Sequence, residues 1–371
     1  MPLSCSRLLH ACVVTAALAA ARAFGLSIVD PGQGPVALAD GASVQPHELS
    51  GLTWVPSSSE YLAVSDDLPK VYRLAVNVNS DTGRISSATT LGSLTLTQSN
   101  GSALPANRDL EGVALAPGGA SIFVSDEGGP RIRQHDLSNG HALAEIGPAS
   151  APALAVYAHQ LTNLGWESLT LAPDTGILWT SNEEALSVDG PNGFGGNNTV
   201  VRLQQLAPNL APSGQFAYRV SGDLVPTAIG NVNAGVSDVL ALPGGQLLVL
   251  ERAAGLVTLA PDLVIRDRIF LVNFSGASDI SSIASLVGAP ITEVGKTLLW
   301  EGVFPDDNFE GLALGPTLAN GDRSVLLVSD DGSGLHQSLY ALRLVGLVPE
   351  PASGLLLALG LVGLGLRARR G

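Results

Sequence analysis

Acidic residues recur in pairs along the chain, and their types and spacing suit a site that binds a cation or transfers protons. One acid of each pair begins an apolar stretch, and the other ends the next apolar stretch. The starting acids are Glu111, Glu167, Asp238 and Glu310. The ending acids are Asp66, Asp126, Glu183, Glu251 and Asp330. Oxygen ligands without sulfur or clustered histidine favour Ca²⁺, and less often Mg²⁺.

Each acid pair belongs to a repeated unit of two apolar stretches joined by a turn that contains Pro or Gly. The five copies begin near Ser50, Glu111, Glu167, Ser237 and Glu310, at a mean spacing of about 65 residues. That spacing leaves room for four strands in each unit, which is the signature of a β-propeller. The first copy departs from the pattern, because Ser50 stands where other copies have an acid.

We therefore predict an all-β fold, a β-propeller of four-stranded blades. Counting copies gives five blades, or six if residues 265–303 form a blade that lacks the motif. The fifth unit has room for only three strands. Residues 24–29 can supply the missing strand and close the ring, which also removes exposed strand edges.

In an antiparallel hairpin the two acidic positions lie at the same end, so the acids are expected to gather at one mouth of the axial channel. Two carboxylates 5 Å apart repel by about 3 kcal/mol at an effective dielectric constant of 20, so a ring of them needs a counter-charge. A structural alternative exists for each acid, because Asp, Asn and Ser are ordinary turn residues. Recurrence in five copies favours the shared site.

The first 23 residues read as a secretory signal peptide. Arg7 precedes an apolar run from Ala11 to Ala21, and small residues at Ala21 and Ala23 suit signal peptidase. Both cysteines, Cys5 and Cys12, lie in this segment. The exported chain is therefore expected to have no disulfide, cysteine nucleophile or thiolate metal site.

Residues 348–371 combine a Pro-Glu-Pro break, an apolar stretch at 354–366 and a basic end. A helix of that length spans roughly 20 Å, less than a hydrocarbon core of about 30 Å, so we expect it to hold the protein only marginally in a membrane. This tail closely resembles a PEP-CTERM sorting signal. The resemblance implies a Gram-negative envelope, transient inner-membrane anchoring, processing by an exosortase, and delivery to the cell surface or extracellular matrix.

The charge of the chain limits its partners. The formal net charge is −14, and the two terminal segments hold five arginines but only one glutamate, so residues 24–347 are more acidic still. Direct binding of nucleic acid is disfavoured by this charge. A phosphate-bearing ligand needs a cation as intermediary. Nucleophile elbows, zinc-protease helices and phosphate loops are absent from the sequence.

Several repeat motifs resemble the phytase-like ("esterase-like activity of phytase") family. They are Glu111-Gly112, the segment 165–168, the segment 235–238, the segment 250–252, and Asn308-Phe309-Glu310-Gly311-Leu312 with 328–331. The resemblance runs from about residue 48 to residue 344. It implies a hydrolytic, phosphoester-directed activity with the repeated Asp and Glu residues as the active groups.

These observations assign roles as follows. Glu111, Glu167 and Glu310 are the candidate catalytic residues, and one of them acts as general base. The candidate Ca²⁺ ligands are Asp66, Asp126, Glu183, Asp238, Glu251 and Asp330. Arg252 and His47 are candidate substrate contacts, although an ion pair with Glu251 also explains Arg252.

Two functions fit the sequence. The first is an exported, Ca²⁺-dependent phosphoester hydrolase that works at an acidic axial channel. The alternative is a non-catalytic propeller that binds polysaccharide or a protein partner in the extracellular matrix. Fold alone does not separate them, because propellers host many functions.

Overall fold

The structure, a computed structural model, describes residues 25–42, 44–257, 263–305, 307–330, 332 and 337–347. The predicted signal peptide and sorting tail, together with His336, therefore lie outside the described residues. No helix within the described ranges is long and apolar enough to cross a membrane.

Two short strands precede the repeat, β1 (Ser27–Val29) and β2 (Val36–Ala37). Three antiparallel four-stranded sheets follow, one for each of the first three repeat units. Their strands are, sheet by sheet, β3 (Leu49–Val55), β4 (Glu60–Ser65), β5 (Lys70–Val78) and β6 (Ile85–Thr95); β7 (Leu110–Leu115), β8 (Ser121–Asp126), β9 (Arg131–Asp136) and β10 (Ala142–Ile146); β11 (Thr170–Leu171), β12 (Leu178–Ser181), β13 (Val200–Leu206) and β14 (Pro212–Arg219).

Two further sheets complete the repeat. Their strands are β15 (Gly230–Leu242), β16 (Gln246–Leu256), β17 (Leu263–Asn273) and β18 (Gly295–Phe304); β19 (Asn308–Thr317), β20 (Arg323–Asp330) and β21 (Ser338–Val345). Short 3₁₀ helices occur at Pro152–His159 and Phe194–Gly196. Residues 265–303 thus contribute β17 and β18 to the fourth blade, and they form no sixth blade.

The ring is closed by the N-terminal segment, as predicted. β1 pairs antiparallel with β21, with Ser27 opposite Val345 and Val29 opposite Arg343. β2 pairs with the other end of β21. The fifth blade therefore combines strands from both ends of the described chain, and the fold is a five-bladed β-propeller.

The hydrophobic core is divided among the blade interfaces. Five large clusters of buried side chains each draw on two adjacent blades, and the one between the fifth and first blades includes Leu326 and Tyr61. The first strands of the blades, β3, β7, β11, β15 and β19, contact their neighbours in ring order around the axis. We call the end of the axis where these strands begin the mouth, and the opposite end the far face.

Both ends of the described chain lie at the far face. Leu344 of β21 pairs with Arg323, which begins β20, whereas Asp330 at the other end of β20 pairs with Asn308 at the mouth. β1 lies beside the last residues of β21. The predicted terminal segments therefore join the propeller on the side away from the acidic residues.

Candidate functional site

A β-bulge near the start of the inner strands sets the direction of the acidic side chains. The strand register shifts between Leu110 and Val113 in the second blade and between Phe309 and Gly311 in the fifth. Equivalent shifts occur in the first and fourth blades. Because a bulge changes the direction of a side chain, the strand alternation is broken at the residues Ser50, Glu111, Ser237 and Glu310.

Glycine follows the bulged residue where neighbouring inner strands come very close. A Cβ atom on Gly112 would lie 2.3 Å from the backbone nitrogen of Leu169. On Gly311 it would lie 2.3 Å from the carbonyl oxygen of Ser50. In each Glu-Gly pair, the glutamate therefore supplies an axial carboxylate. The glycine has no side chain and so allows the neighbouring inner strands to pack closely.

Three glutamates meet at the axis, and we call them the axial cluster. Carboxylate oxygens of Glu111, Glu167 and Glu310 lie within 4.8 Å of one another. All three side chains are buried. The hydroxyl of Ser50 donates a hydrogen bond of 2.6 Å to Glu111 Oε2. The three candidate catalytic residues are thus brought together from three different blades.

A second serine, Ser237, lies at the equivalent position of the fourth blade. Ser237 is 2% exposed, and within the described part of the chain its hydroxyl has no hydrogen-bond partner. It occupies the bulge position that Glu111 and Glu310 occupy in their blades. The five equivalent positions therefore hold three glutamates and two serines.

Burial dominates the electrostatics of the axial cluster. It raises the pKa of Glu111 and of Glu167 well above the usual range, and neighbouring carboxylates raise both further. The pKa of Glu310 rises to about 7, because the effect of burial is partly offset by the Arg252 guanidinium. Without a cation, the cluster therefore holds protons near neutral pH.

Arg252 supplies positive charge beside the cluster. Its guanidinium lies 2.6 Å from Glu183 Oε1 and 3.3 Å from Glu310 Oε1, and it donates a hydrogen bond of 3.0 Å to Asn308 Oδ1. Although burial disfavours the charged form, these glutamates raise the pKa of Arg252 above its usual range. Arg252 therefore contacts the acids of the mouth and not Glu251, its neighbour in sequence.

A second group of acids, which we call the rim cluster, shares Glu111 with the first. Ligand oxygens of Asp109, Glu111 and Glu127 lie within 4.8 Å of one another. Glu127 Oε1 accepts a hydrogen bond of 2.6 Å from the Gly165 backbone. Burial, reinforced by Glu183 and Asp109, raises the pKa of Glu127 to about 8. The carboxylates therefore continue from the axis towards the rim.

Asp109 and Glu127 were not among the residues expected from sequence. A signal for Glu127 exists, since it follows Asp126 as Glu183 follows Asn182 and Arg252 follows Glu251. Glu127, Glu183 and Arg252 therefore occupy equivalent positions of the repeat, and all three face the mouth.

Asp66 lies near the axial cluster at the junction of the first and fifth blades. Burial, followed by the charges of Asp330 and Glu48, raises the pKa of Asp66 to about 9. Glu310 also contributes to this shift. Asp66, Asp330 and Glu183 therefore lie towards the mouth.

Three of the expected ligands are not gathered with the others, because their carboxylates have partners elsewhere. Asp126 lies 2.6 Å from Arg133 within its own blade. Asp238 accepts backbone hydrogen bonds of 2.6 Å from Leu312 and 2.8 Å from Val239. It stands at the position of Gly112, one residue after the position of Glu111.

Glu251 also has its own partners. It accepts a hydrogen bond of 2.7 Å from the Tyr218 hydroxyl, lies 3.1 Å from Arg268 and contacts Lys296. His47 lies at the rim, where its Nδ1 is 3.0 Å from Asp67 Oδ2. Fewer of the repeated acids therefore meet at the axis than the sequence predicted.

Below the axial cluster the channel becomes apolar. A cavity of about 260 Å³ on the far side is lined by Leu52, Val113, Leu169 and Leu312 together with the next layer of inner-strand residues. Charged ligands are disfavoured in such surroundings. The mouth is therefore the favourable route for an ion to reach the glutamates.

The two serines give a matched test of this geometry. Ser50→Ala is expected to lower the free energy of unfolding in chelator by about 1 kcal/mol, because it removes the hydrogen bond to Glu111. Ser237→Ala is expected to leave stability unchanged or raise it by about 1 kcal/mol, because it removes an unpaired buried hydroxyl. Urea unfolding measures both, and a larger loss for Ser237→Ala would contradict the arrangement.

Comparison with known sequences identifies the family. The profile of the phytase-like family, described as "esterase-like activity of phytase", matches residues 46–332. The chain belongs to this family. The PEP-CTERM protein-sorting motif matches residues 347–370, which marks the protein for export to the cell envelope or surface and for processing by an exosortase. No curated protein matches the sequence.

The solved structures that are similar to this chain match it at low identity and with low TM-scores. The luciferin-regenerating enzyme is 12% identical, with a TM-score of 0.39 over 83% of this chain and 95% of the other. The exo-β-1,3-galactanase of Phanerochaete chrysosporium is 11% identical, with a TM-score of 0.43 over 85% and 64%. Hydrazine synthase of Kuenenia stuttgartiensis is 12% identical, with a TM-score of 0.34 over 78% of this chain and 58% of the other. Nothing about activity follows from these scores.

Proposed function

We propose that this exported phytase-like propeller is a Ca²⁺-dependent phosphoester hydrolase that acts at the axial cluster. The observation that carries the proposal is the convergence of three buried glutamates, from the second, third and fifth blades, with oxygens within 4.8 Å. Carboxylates this close repel strongly when ionised. A divalent cation stabilises their charged form.

The donor set fits calcium. Glu111, Glu167 and Glu310 offer hard carboxylate oxygens, and Ser237 offers a hydroxyl that has no partner among the described residues. Ca²⁺ prefers six to eight oxygen ligands in flexible geometry. Glu111, Glu167 and Ser237 would hold the ion beside Glu310, with the remaining positions open to water or substrate.

When bound, Ca²⁺ would polarise a phosphoryl group and offset the negative charge of the site. The protein's own groups perform the proton transfer. Glu310 is the general base in this proposal. Its pKa is about 7 without a bound cation, and a cation held beside it would favour the charged carboxylate that accepts a proton near neutral pH. Asn308 donates a hydrogen bond of 2.8 Å to Glu310 Oε1, and Arg252 contacts the same oxygen, so the carboxylate is held in one orientation.

Turnover of p-nitrophenyl phosphate and of bis-p-nitrophenyl phosphate tests this proposal. The protein is first freed of metal with chelator and then assayed with and without CaCl₂. Glu310→Gln is expected to lower kcat by about a hundredfold or more, the usual contribution of a general base. Glu301→Gln, an exposed position on β18, is the matched control and is expected to keep full activity.

The outcomes separate the two functions considered. Metal-dependent turnover that Glu310→Gln abolishes supports the hydrolase. Thermal stabilisation by Ca²⁺ without turnover of either ester supports the non-catalytic binding protein. A protein that responds to Ca²⁺ in neither assay contradicts the metal site itself.

Export supplies the setting for this activity. We also propose that the apolar stretch at 354–366 holds the protein briefly at the inner membrane before the exosortase acts. Fractionation of cells with and without the exosortase tests this step. Accumulation of the uncut protein in the membrane fraction supports it, and uncut protein found only in the soluble fraction contradicts it.

A further inference from the structure

A cavity at the mouth opens beside the rim cluster. It has a volume of about 390 Å³ and is lined by residues of the second blade and of the loop at 160–163, including Asn107, Arg108, Asp109, Glu127 and Gln160. Two of its lining residues, Asp109 and Glu127, belong to the rim cluster, which shares Glu111 with the axial cluster. The cavity therefore borders the rim cluster, two of whose acids lie beside the proposed catalytic Glu111.

Arg108 places a positive charge in this otherwise acidic cavity. One of its terminal nitrogens donates a hydrogen bond to the carbonyl oxygen of Asp67. Its Nε is buried and has no hydrogen-bond partner within the described part of the chain. Arg252, by contrast, is engaged by Glu183, Glu310 and Asn308. Only one of the two terminal nitrogens of Arg108 has a hydrogen bond to a described residue, so the other can donate to a ligand in the cavity.

The backbone around Arg108 is held firmly in place. The Asn107 side chain donates a hydrogen bond to the carbonyl oxygen of Gly128. A Cβ atom on Gly128 would lie 1.7 Å from the carbonyl oxygen of Asn107, so the two segments are in close contact. The hydrogen bond to the carbonyl oxygen of Asp67 restrains the guanidinium itself, so it loses less freedom when it binds an anion, and its planar donors match phosphate oxygens.

We propose that this cavity is the phosphate subsite of the enzyme, in which Arg108 binds the phosphoryl oxygens of a small phosphomonoester. The inference rests on the proposed hydrolase function and names its substrate class. An anion beside so many carboxylates requires positive charge on both sides. Arg108 provides it on the rim side, and the cation held by the glutamates provides it on the axial side. A volume of about 390 Å³ suits a small molecule, since ligand cavities commonly span about 300–1,000 Å³.

Binding of inorganic phosphate, measured by calorimetry in the presence of CaCl₂, tests the subsite directly. Arg108→Gln is expected to raise the Kd for phosphate by about tenfold to a hundredfold, as the loss of a charge-assisted hydrogen bond predicts. Arg108→Lys is expected to give a smaller rise, because it keeps the charge but loses the fork geometry. The matched control is Arg73→Gln, an exposed position that pairs with Glu60 on the first blade, and its Kd is expected to match the wild type.

Kinetics add a second readout. If p-nitrophenyl phosphate is turned over, Arg108→Gln is expected to raise KM by about the same factor as Kd and to change kcat much less. Circular dichroism melts confirm that the variants are folded. If Arg108→Gln does not fold, the rise in Kd for Arg108→Lys decides the question.

The two proposals fail in different ways. A wild-type protein that does not bind phosphate with Ca²⁺, or an Arg108→Gln variant that binds it as well as the wild type, overturns the subsite. Phosphate binding that depends on Arg108, in a protein that hydrolyses neither ester, supports the subsite and contradicts the hydrolase.

Discussion

In chelator, the free energy of unfolding is expected to fall as the pH rises from about 5 to about 8, and Ca²⁺ is expected to restore it. Glutamate in the unfolded chain has its ordinary pKa of 4.5, whereas burial raises the pKa of Glu310 to about 7 and of Glu127 to about 8. Between these values the folded protein holds protons that the unfolded chain has lost. Stability is therefore greatest below the unfolded pKa and is lost as the pH rises through the folded pKa values, by up to about 1.4 kcal/mol per pH unit for each proton.

Urea unfolding at pH 5, 6, 7 and 8, with EDTA or with CaCl₂, measures this effect. At a Ca²⁺ concentration of about 100 times its Kd, the expected stabilisation is about 3 kcal/mol, and it grows with pH as protons cease to compete. Glu167→Gln is expected to flatten the pH profile in EDTA and to remove most of the response to Ca²⁺. Glu301→Gln serves again as the control. A flat profile for the wild type in EDTA would contradict the buried cluster.

Gly112→Ala is expected to destabilise the protein by about 3 kcal/mol, at the upper end of the cost of overpacking. The added Cβ would lie 2.3 Å from the nitrogen of Leu169 and 2.5 Å from the carbonyl carbon of Ser168. Both contacts are with backbone of the next inner strand, so relief requires the blades to move apart. We expect Ca²⁺ binding to weaken as well, because Glu111 and Glu167 would separate.

Gly92→Ala is the matched control for this substitution. Gly92 lies in β6, and a Cβ there would have no atom within 4 Å. Its free energy of unfolding is expected to stay within about 0.5 kcal/mol of the wild type, as for ordinary surface substitutions. Equal losses for the two variants would show that the inner strands are less closely packed than described.

Periodicity was sufficient to predict the architecture. Each copy carries two apolar stretches and a turn, the fifth copy lacks a strand, and the segment before the first copy supplies it, as the pairing of Ser27 with Val345 confirms. These features follow from local pattern and from the need to remove exposed edges. They require no knowledge of side-chain direction.

Side-chain direction at the site could be predicted only in part. The bulges interrupt the alternation of the inner strands, so alternation alone does not show that Asp238 occupies the position of Gly112 and not that of Glu111. Counting back from the Pro that ends each first strand would have revealed the offset, because Pro117 and Pro243 are equivalent.

Ion-pair partners on neighbouring strands determine which of the other predicted acids reach the mouth. Asp126 and Glu251 have the residue type and approximate position of ligands, but Arg133 and Arg268 reach them from neighbouring strands. Glu127 lies in the rim cluster because it comes one residue after Asp126 and the chain turns there towards Gly165. Ion pairs of this kind depend on strand register, which a single sequence does not specify.

The pairing of β1 with the end of β21 determines where the chain ends lie relative to the opening at the mouth. Both ends of the described chain lie on the side of the propeller turned away from the glutamates, so exosortase processing at the C-terminus would occur on that side. With the proposed attachment to the inner membrane, an attached molecule and a released one would expose the same opening to the surroundings. Maturation of the ends can change where the protein resides without altering what reaches its carboxylates.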